Sequence, residues 1–318
     1  MIEDTAFQLL ILIASLAGLA LASHFTIKSV EKIVEITGLS EASAGFIILA
    51  VLTSTPEIIV AVLSVIQGNP AVSIGDILGS NIFNVGAVLG ILGVIGYLKI
   101  CCNDILVELT DMLSVIVVIP LLLVISQLRI LEIPSQIIGA ILIVSFLISV
   151  YLISKKRLPP VYTNGKGRKL SNKIKVTVVS TLLFSFLVVV LSAQLTVNSA
   201  SNIALALGVP SILVGAKIVA IGTSLPELST ALAAVRRHRK HLAVGDIIGS
   251  CLTNLTLVLG IVLLTSPFRV DFTVFLEILP FLLITTIIFW RFVLRGGISK
   301  VEGATLLLTY VLFQALVL

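Results

Sequence analysis

The sequence predicts an all-α polytopic membrane protein: ten transmembrane helices arranged as two inverted five-helix repeats, with the second and seventh helices broken at the core. Three observations predict it. The 318 residues are 58% hydrophobic and only 12% charged, with a mean hydropathy of +1.21. The apolar runs are long and do not alternate, which suits helices of about 20 residues and not barrel strands of about 10, which alternate strictly. Two blocks recur at an offset of 170 residues without a gap: Leu52-Thr53-Ser54-Thr55-Pro56-Glu57 against Gly222-Thr223-Ser224-Leu225-Pro226-Glu227, and Gly75-Asp76-Ile77-Leu78-Gly79-Ser80 against Gly245-Asp246-Ile247-Ile248-Gly249-Ser250.

Ten apolar segments follow in order at roughly 6–27, 42–67, 72–96, 109–127, 134–154, 174–197, 211–235, 242–265, 271–293 and 301–318. The N-terminus, Met1-Ile2-Glu3-Asp4, is acidic where a signal peptide is basic, so the first segment is expected to stay as a helix. A linker at 155–173 holds Lys155, Lys156, Arg157, Pro159, Pro160, Lys166, Arg168 and Lys169. It divides the chain into a first repeat, 1–154, and a second, 174–318. The repeat shows beyond the blocks: Thr26 pairs with Thr196, Ile33 with Ile203, Gly38 with Gly208 and Gly45 with Gly215. Five helices per repeat is an odd number, so the second repeat must cross the membrane in the opposite sense.

Loop charge tests that inversion. With the N-terminus outside, Gln67-Gly68-Asn69-Pro70 is an uncharged outer loop, whereas the equivalent Arg236-Arg237-His238-Arg239-Lys240-His241 is an inner one. Of the 21 Lys and Arg, only Arg129 and Arg269 then fall in outer loops, Lys217 lies inside the seventh segment, and eighteen are inside. The net charge of +5 therefore marks topology rather than nucleic acid.

The duplicated blocks supply the chemistry. Proline within a helix removes one hydrogen bond and displaces the carbonyl four residues earlier: that of Leu52 for Pro56, that of Gly222 for Pro226. Nearby carbonyls such as those of Ala50, Thr53, Ala220 and Thr223 loosen too. Such groups must be buried in protein or line a wet cavity, and cations can satisfy them. Thr53, Ser54, Glu57, Thr223, Ser224 and Glu227 offer only hydroxyl and carboxylate oxygens, and Ser80, Asn84, Ser250 and Asn254 add hydroxyls and amides. Ser80 and Asn84 are four apart, as are Ser250 and Asn254, so each pair shares a helix face. Hard oxygen donors suit calcium and sodium, and the near-absence of His and Cys argues against zinc or copper. Glu57 and Glu227, brought together, match one divalent ion or two to three monovalent ions in charge, a basis for exchange in which only the loaded site crosses.

The remaining polar residues are expected to be structural. Asp76 and Asp246 are read as acids near helix openings that complement the dipole, with a gating or ion-recruiting role as the alternative. Lys217 is expected to snorkel to outer headgroups and Trp290 beside Arg291 to anchor at the interface. His24 could relay protons, and Glu277 near Pro280 could form a second buried site, although its equivalent is Val107. Cys101, Cys102 and Cys251 lack metal-site spacing and are read as structural.

With these blocks quoted, the chain resembles the cation/calcium exchanger superfamily, and is most similar to its compact prokaryotic sodium/calcium exchangers, over nearly its whole length. The resemblance implies Glu57 and Glu227 as central calcium ligands shared with sodium, with Thr53 and Thr223 adding carbonyl and hydroxyl oxygens. It implies Ser54 and Ser250 at an inner sodium site, Ser80 and Ser224 at an outer one, the carbonyls of Ala50 and Ala220 completing these, and Asn84 and Asn254 lining the middle. It also implies a core of helices 2, 3, 7 and 8, helices 1 and 6 sliding across it, and three sodium ions exchanged per calcium. The sequence departs at Leu52, where Gly is common, at Thr55, where an apolar residue is common, and at Asn254, where some members carry Asp. The amide at Asn254 argues against potassium dependence.

The expected function is a sodium/calcium antiporter of the plasma membrane, acting as a monomer in the lipid bilayer without a cofactor and extruding calcium electrogenically. Its partners are calcium and sodium ions, with no nucleic acid and no enzymatic activity. A proton/calcium or other cation antiporter using the same glutamates is the alternative, and a cation channel a weaker one. An intramembrane aspartyl protease fits poorly, since Asp76 and Asp246 follow Ser-Ile-Gly and Ala-Val-Gly rather than the Gly-x-Gly of that motif.

Overall fold

The computed structural model describes residues 2–37, 51, 53–99, 104–154, 172–236, 238, 240–268 and 270–317. Ala50, Leu52, Cys101, Cys102, Arg237, Arg239, Arg269, the start of the second segment and most of the basic linker lie outside the described residues. The chain is all-helical there: α1 (Ile2–Thr37), α2 (Thr55–Ile66), α3 (Pro70–Ile95), α4 (Asp104–Ile116), α5 (Leu121–Gln127), α6 (Ser135–Ser154), α7 (Asn172–Leu207), α8 (Ser211–Arg236), α9 (Lys240–Thr265), α10 (Phe272–Leu294) and α11 (Lys300–Leu316). Among the described residues, eight helical stretches are long and apolar enough to cross a membrane, α4 and α5 counting as one.

Several boundaries differ from expectation. α1 and α7 are each 36 residues, well beyond the expected 6–27 and 174–197, and α7 takes Asn172 and Lys173 from the expected linker. No Pro interrupts either helix, and Ser and Thr residues along both bond back into the helix. Thr26 and Thr196, for example, donate to the carbonyls of Ala22 and Ser192. The fourth segment bends before Pro120, where Ile119 and Leu121 bond to Ile116 and Val118 in tighter three-residue turns, since Pro120 has no N–H to give.

α3 and α9 are the centre: 89% and 83% of their spans are buried, against 28–50% for the others. Small residues let them be central. A Cβ on Gly75 or Gly79 would collide with the backbone of α8 at Ile212 and Ala216, so α3 and α8 touch main chain to main chain. Around this centre the halves interdigitate. α11 packs on the C-terminal part of α3, and its equivalent α6 packs on the C-terminal part of α9. Likewise α10 lies against α3, and α4 against α9.

α1 and α7 form an outer pair with a duplicated seam. Thr26 Oγ1 donates to Ser185 Oγ at 2.9 Å, and Thr196 Oγ1 donates to Ser15 Oγ at 2.9 Å. Ser15 and Ser185 are equivalent positions, as are Thr26 and Thr196. Early α1 therefore meets late α7 and late α1 meets early α7, so the two run antiparallel. Across the seam, Leu16 packs directly over Gly222 of α8, where a Cβ would strike its side chain.

Lys217 is half-buried, and its ammonium is held by protein. Its Nζ donates to the carbonyl of Gln314 at 3.0 Å and to that of Val317, so it satisfies acceptors in the last turn of α11 that no helical N–H can reach. Trp290 is tied down: its Nε1 donates to Asp111 Oδ1 at 2.6 Å, joining α10 to α4. Asn69, in the α2–α3 turn, donates to Ser201 Oγ at 2.8 Å and Ser211 Oγ at 3.1 Å, fixing that turn to the α7–α8 connection.

The α2–α3 turn has Gly68 at φ 73°, and the equivalent turn has His238 at φ 60°. A Cβ on Gly68 would meet nothing within 4 Å, so only the backbone constrains it. Gly79→Ala should destabilise the protein by about 1–3 kcal/mol by overpacking against Ala216. Gly68→Asn should be tolerated, because Asn adopts left-handed backbone readily. Thermal unfolding of the detergent-solubilised variants against the parent chain checks both.

Candidate cation site

The helices carrying the duplicated blocks depart from regular hydrogen bonding where the blocks lie. Ser54 (φ −78°, ψ 10°) precedes α2, whose first residues are Thr55 and Pro56, and Ile58 N donates to Ser54 O at 3.0 Å. In α8, Ser224 (φ −91°, ψ 7°) separates Ala220–Thr223 from Leu225–Arg236. Pro226 has no N–H to offer Gly222. Three π-helical stretches lie in the same region: Phe83–Val88 of α3, Gly215–Val219 of α8 and Asn254–Val258 of α9. Asn84 and Asn254 both sit inside such stretches. A π turn admits an extra residue and re-aims side chains near functional sites; the i, i+4 spacing of Ser80 and Asn84 gave no sign of it.

The site residues converge. Thr53, Ser54, Glu57, Ser80, Asn84, Thr223, Ser224, Glu227, Ser250 and Asn254 are all fully buried, at 0% exposure. Ser54 Oγ and Ser250 Oγ are 2.8 Å apart, and Ser250 Oγ donates to Glu227 Oε1 at 3.0 Å. Ser224 Oγ donates to Glu57 Oε1 at 3.4 Å, and Asn254 Nδ2 donates to Ser80 Oγ at 3.2 Å. Except for Ser250 to Glu227, each of these bonds crosses between halves. Ala220 is buried, with its carbonyl accepting from Ser224 N and Thr223 Oγ1, both at 3.3 Å. Thr55 is half-buried at the start of α2.

The oxygens without protein donors define the chemistry. Glu57 Oε2, Glu227 Oε2, Asn84 Oδ1 and Asn254 Oδ1 are buried and unpartnered, and they form two equivalent pairs. Buried polar atoms without partners are rare and costly. These are four acceptors, the kind of group a cation satisfies. Among the described residues, no group of three or more His, Cys, Asp or Glu is placed to hold a metal ion. A cation here would therefore take two carboxylates together with hydroxyl, amide and carbonyl oxygens, a set suited to hard ions.

Asp76 and Asp246 do not cap their helices. Each is the seventh residue of its helix, α3 from Pro70 and α9 from Lys240, well past the first turn where the dipole acts. Asp76 Oδ1 accepts from Thr223 Oγ1 at 2.8 Å, and Asp246 Oδ1 accepts from Thr53 Oγ1 at 3.4 Å. The hydroxyls of Thr53 and Thr223 thus each reach an aspartate of the opposite half. Glu277 lies exposed on α10, so it builds no second buried site; its first-half equivalent carries no acid and nothing encloses it. His24 is half-exposed on α1, its ring edge-on to Phe25 at 5.8 Å. Cys251 is buried and free.

A cation that binds only the folded site stabilises it by mass action, by about 2.7 kcal/mol at a hundredfold excess over Kd. Calcium at saturating concentration should therefore raise the thermal midpoint of the purified protein, and should fail to raise that of the Glu57→Gln/Glu227→Gln double variant. Differential scanning fluorimetry in detergent checks this.

Comparison with known proteins agrees with this geometry. The sequence model of the family described as sodium/calcium exchanger protein matches residues 7–155 and 177–318. The chain is 27% identical to the sodium/calcium exchanger MaX1 of Methanosarcina acetivorans, with 96% of each chain covered. It is 29% identical to the putative antiporter CaxA of Alkalimonas amylolytica, covering 86% of each. Its structure is similar to that of the sodium-calcium exchanger NCX_Mj soaked with 10 mM Na+ and zero Ca2+: TM-score 0.68 and 25% identity, covering 99% of this chain and 100% of that one. It shares its fold with the H+/Ca2+ exchanger CAX at TM-score 0.77 and 18% identity, covering 96% and 81%. A match across both halves, with the paired glutamates and their oxygen neighbours gathered in one buried site, places this chain in the sodium/calcium exchanger protein family.

Proposed function

We propose that this protein is a secondary active antiporter that exchanges sodium for calcium across the plasma membrane by alternating access. The observation that carries the proposal is the set of four unpartnered buried oxygens on Glu57, Glu227, Asn84 and Asn254, drawn equally from the two halves. Two carboxylates buried together repel unless a positive charge lies between them. Ions of total charge about +2 to +3 relieve that repulsion, and either one calcium or several sodium ions supply it. The empty site is then the costly state, so the site reorients when loaded, and transport in one direction is coupled to transport in the other.

The architecture we infer is ten transmembrane helices in two inverted repeats, 1–154 and 174–318, joined by a basic cytoplasmic linker. The antiparallel run of α1 against its equivalent α7 supports the inversion. So does the clustering of connections assigned to the outer face: Ala71, Gly208 to Ile212, Val270 and Asp271 line one open cavity of about 500 Å³. The connection before α6 and the one after α9 likewise meet, since Ser135, Gln136, Pro267 and Phe268 line a second. The carbonyls of Ala50 and Ala220 would complete the set of ion ligands. Glu57 and Glu227 would hold calcium, and the serines would hold sodium on either side of it. With three sodium ions per calcium, each cycle moves one net charge and extrudes calcium down the inward sodium gradient.

The test is flux in proteoliposomes of the purified protein. Calcium uptake should require an outward sodium gradient, respond to membrane potential, and be unsupported by a pH gradient alone. Uptake driven equally by a pH gradient would instead assign proton coupling to the same glutamates, and flux without any counter-ion would assign a channel. Glu57→Gln or Glu227→Gln should lower exchange by about a hundredfold or more, since unpairing a buried charge costs about 3–5 kcal/mol. Near-normal calcium flux in both variants would remove the glutamate site.

A further inference from the structure

We propose that Asp76 and Asp246 are positioning residues. Each reaches from the central helix of one half to hold the threonine that opens the Ser-x-Pro-Glu segment of the other, and the two holds are unequal. The pairing is reciprocal: Asp76 of α3 accepts from Thr223 at 2.8 Å, and Asp246 of α9 accepts from Thr53 at 3.4 Å. Thr53 and Thr223 are equivalent positions, as are Asp76 and Asp246. The residue after each threonine is the serine that crosses the site, Ser54 toward Ser250 at 2.8 Å and Ser224 toward Glu57 at 3.4 Å. Fixing the threonine hydroxyl therefore fixes where the next hydroxyl points and how far the glutamate four residues on stands from its neighbours.

The inequality comes from one position. Asp246 Oδ2 also accepts from Thr230 Oγ1 at 2.9 Å. The residue equivalent to Thr230 is Val60, fully buried at 0% exposure and without a hydroxyl, and Asp76 Oδ2 has no donor. α9 thus grips both its own half, through Thr230, and the opposite one, through Thr53. Among the described residues, Asp76 of α3 accepts a hydrogen bond from the opposite half alone.

Reading the effect through calcium rests on the exchange function proposed above. Asp76→Asn should raise the half-saturating calcium concentration by about tenfold, the factor of one charge-assisted hydrogen bond, with the maximal rate within about twofold. Asp246→Asn, which releases two hydroxyls, should raise it further. Thr223→Val should match Asp76→Asn, the double variant should be no worse than either, and Thr223→Ser, which keeps the hydroxyl, should stay sensitive to Asp76→Asn. Losses that multiply in the double variant overturn the proposal, because Asp76 then acts independently of Thr223. Equal losses at Asp76 and Asp246 overturn the inequality. Should an aspartate variant fail to fold, Thr230→Val and Thr53→Val, singly and combined, put the same question to the second hold. The thermal midpoints of Asp76→Asn, Thr223→Val and their combination in detergent give a readout that needs no transport. Additive shifts there overturn the hold, whereas non-additive shifts in a chain that carries no sodium-driven calcium flux leave it standing and remove only the exchange function.

Discussion

Two carboxylates, Glu57 and Glu227, lie fully buried inside helices that are otherwise hydrocarbon in character, and most of the polar architecture answers to them. A single acid at the centre of a membrane span costs about 3 kcal/mol on insertion scales. Two facing one another cost more, because their repulsion adds to desolvation. The chain surrounds them with hydroxyls and amides and no cationic side chain among the site residues. A lysine or arginine there would neutralise the pair permanently and leave nothing for an ion to do. Partial satisfaction by serine hydroxyls, one oxygen of each glutamate bonded and the other unpartnered, keeps the pair folded yet still in need of positive charge.

That need explains why the two halves are woven together rather than stacked. A glutamate from each half must reach the same point, so α3 and α8 meet at backbone distance through Gly75 and Gly79, and α6 and α11 each brace the central helix of the opposite half. The outer pair α1 and α7 is bound by neutral Ser–Thr bonds, which suit an apolar surround because no formal charge is desolvated. Two such bonds, one toward each end of the contact, resist relative rotation and make α1 and α7 a single slab. Its Leu16 lies directly on Gly222 at the interruption of α8. That contact ties the outer pair to the helix that carries Glu227.

The helical class, the repeat and the ring of oxygen donors were legible because each rests on composition or on identity at a fixed offset. A Thr-Ser-x-Pro-Glu segment within apolar sequence has few other physical uses, and duplication removes most of those. What escaped the sequence was geometry between segments. The π-helical stretches at Asn84 and Asn254 have no local signature, since the residues around them, Ile-Phe-Asn-Val and Leu-Thr-Asn-Leu, suit an ordinary α-helix. Asp76 and Asp246 looked like helix-opening acids because both helices were expected to begin later, at 72 and 242. Helices starting at Pro70 and Lys240 carry the aspartates past the first turn, and the threonines they meet lie 147 and 193 residues away. Lys217 was read against lipid because its targets, the terminal carbonyls of α11, are supplied by a fold that no local pattern describes.

Duplication does not make the site symmetric. On one side Ser54, Ser250 and Glu227 form a continuous chain of hydroxyl and carboxylate at 2.8 and 3.0 Å. The equivalent chain of Ser224, Ser80 and Glu57 is not built the same way: Ser224 turns to Glu57 directly at 3.4 Å, and Ser80 is taken up by Asn254. Two arrangements of the same residue types therefore coexist in one structure, one closed by short bonds and one looser. The asymmetry has an identifiable source in the sequence: Val60 stands opposite Thr230, so Asp246 takes a second hydroxyl that Asp76 lacks. If the antiporter proposed above alternates between equivalent arrangements of its halves, that extra bond would weight one arrangement over the other.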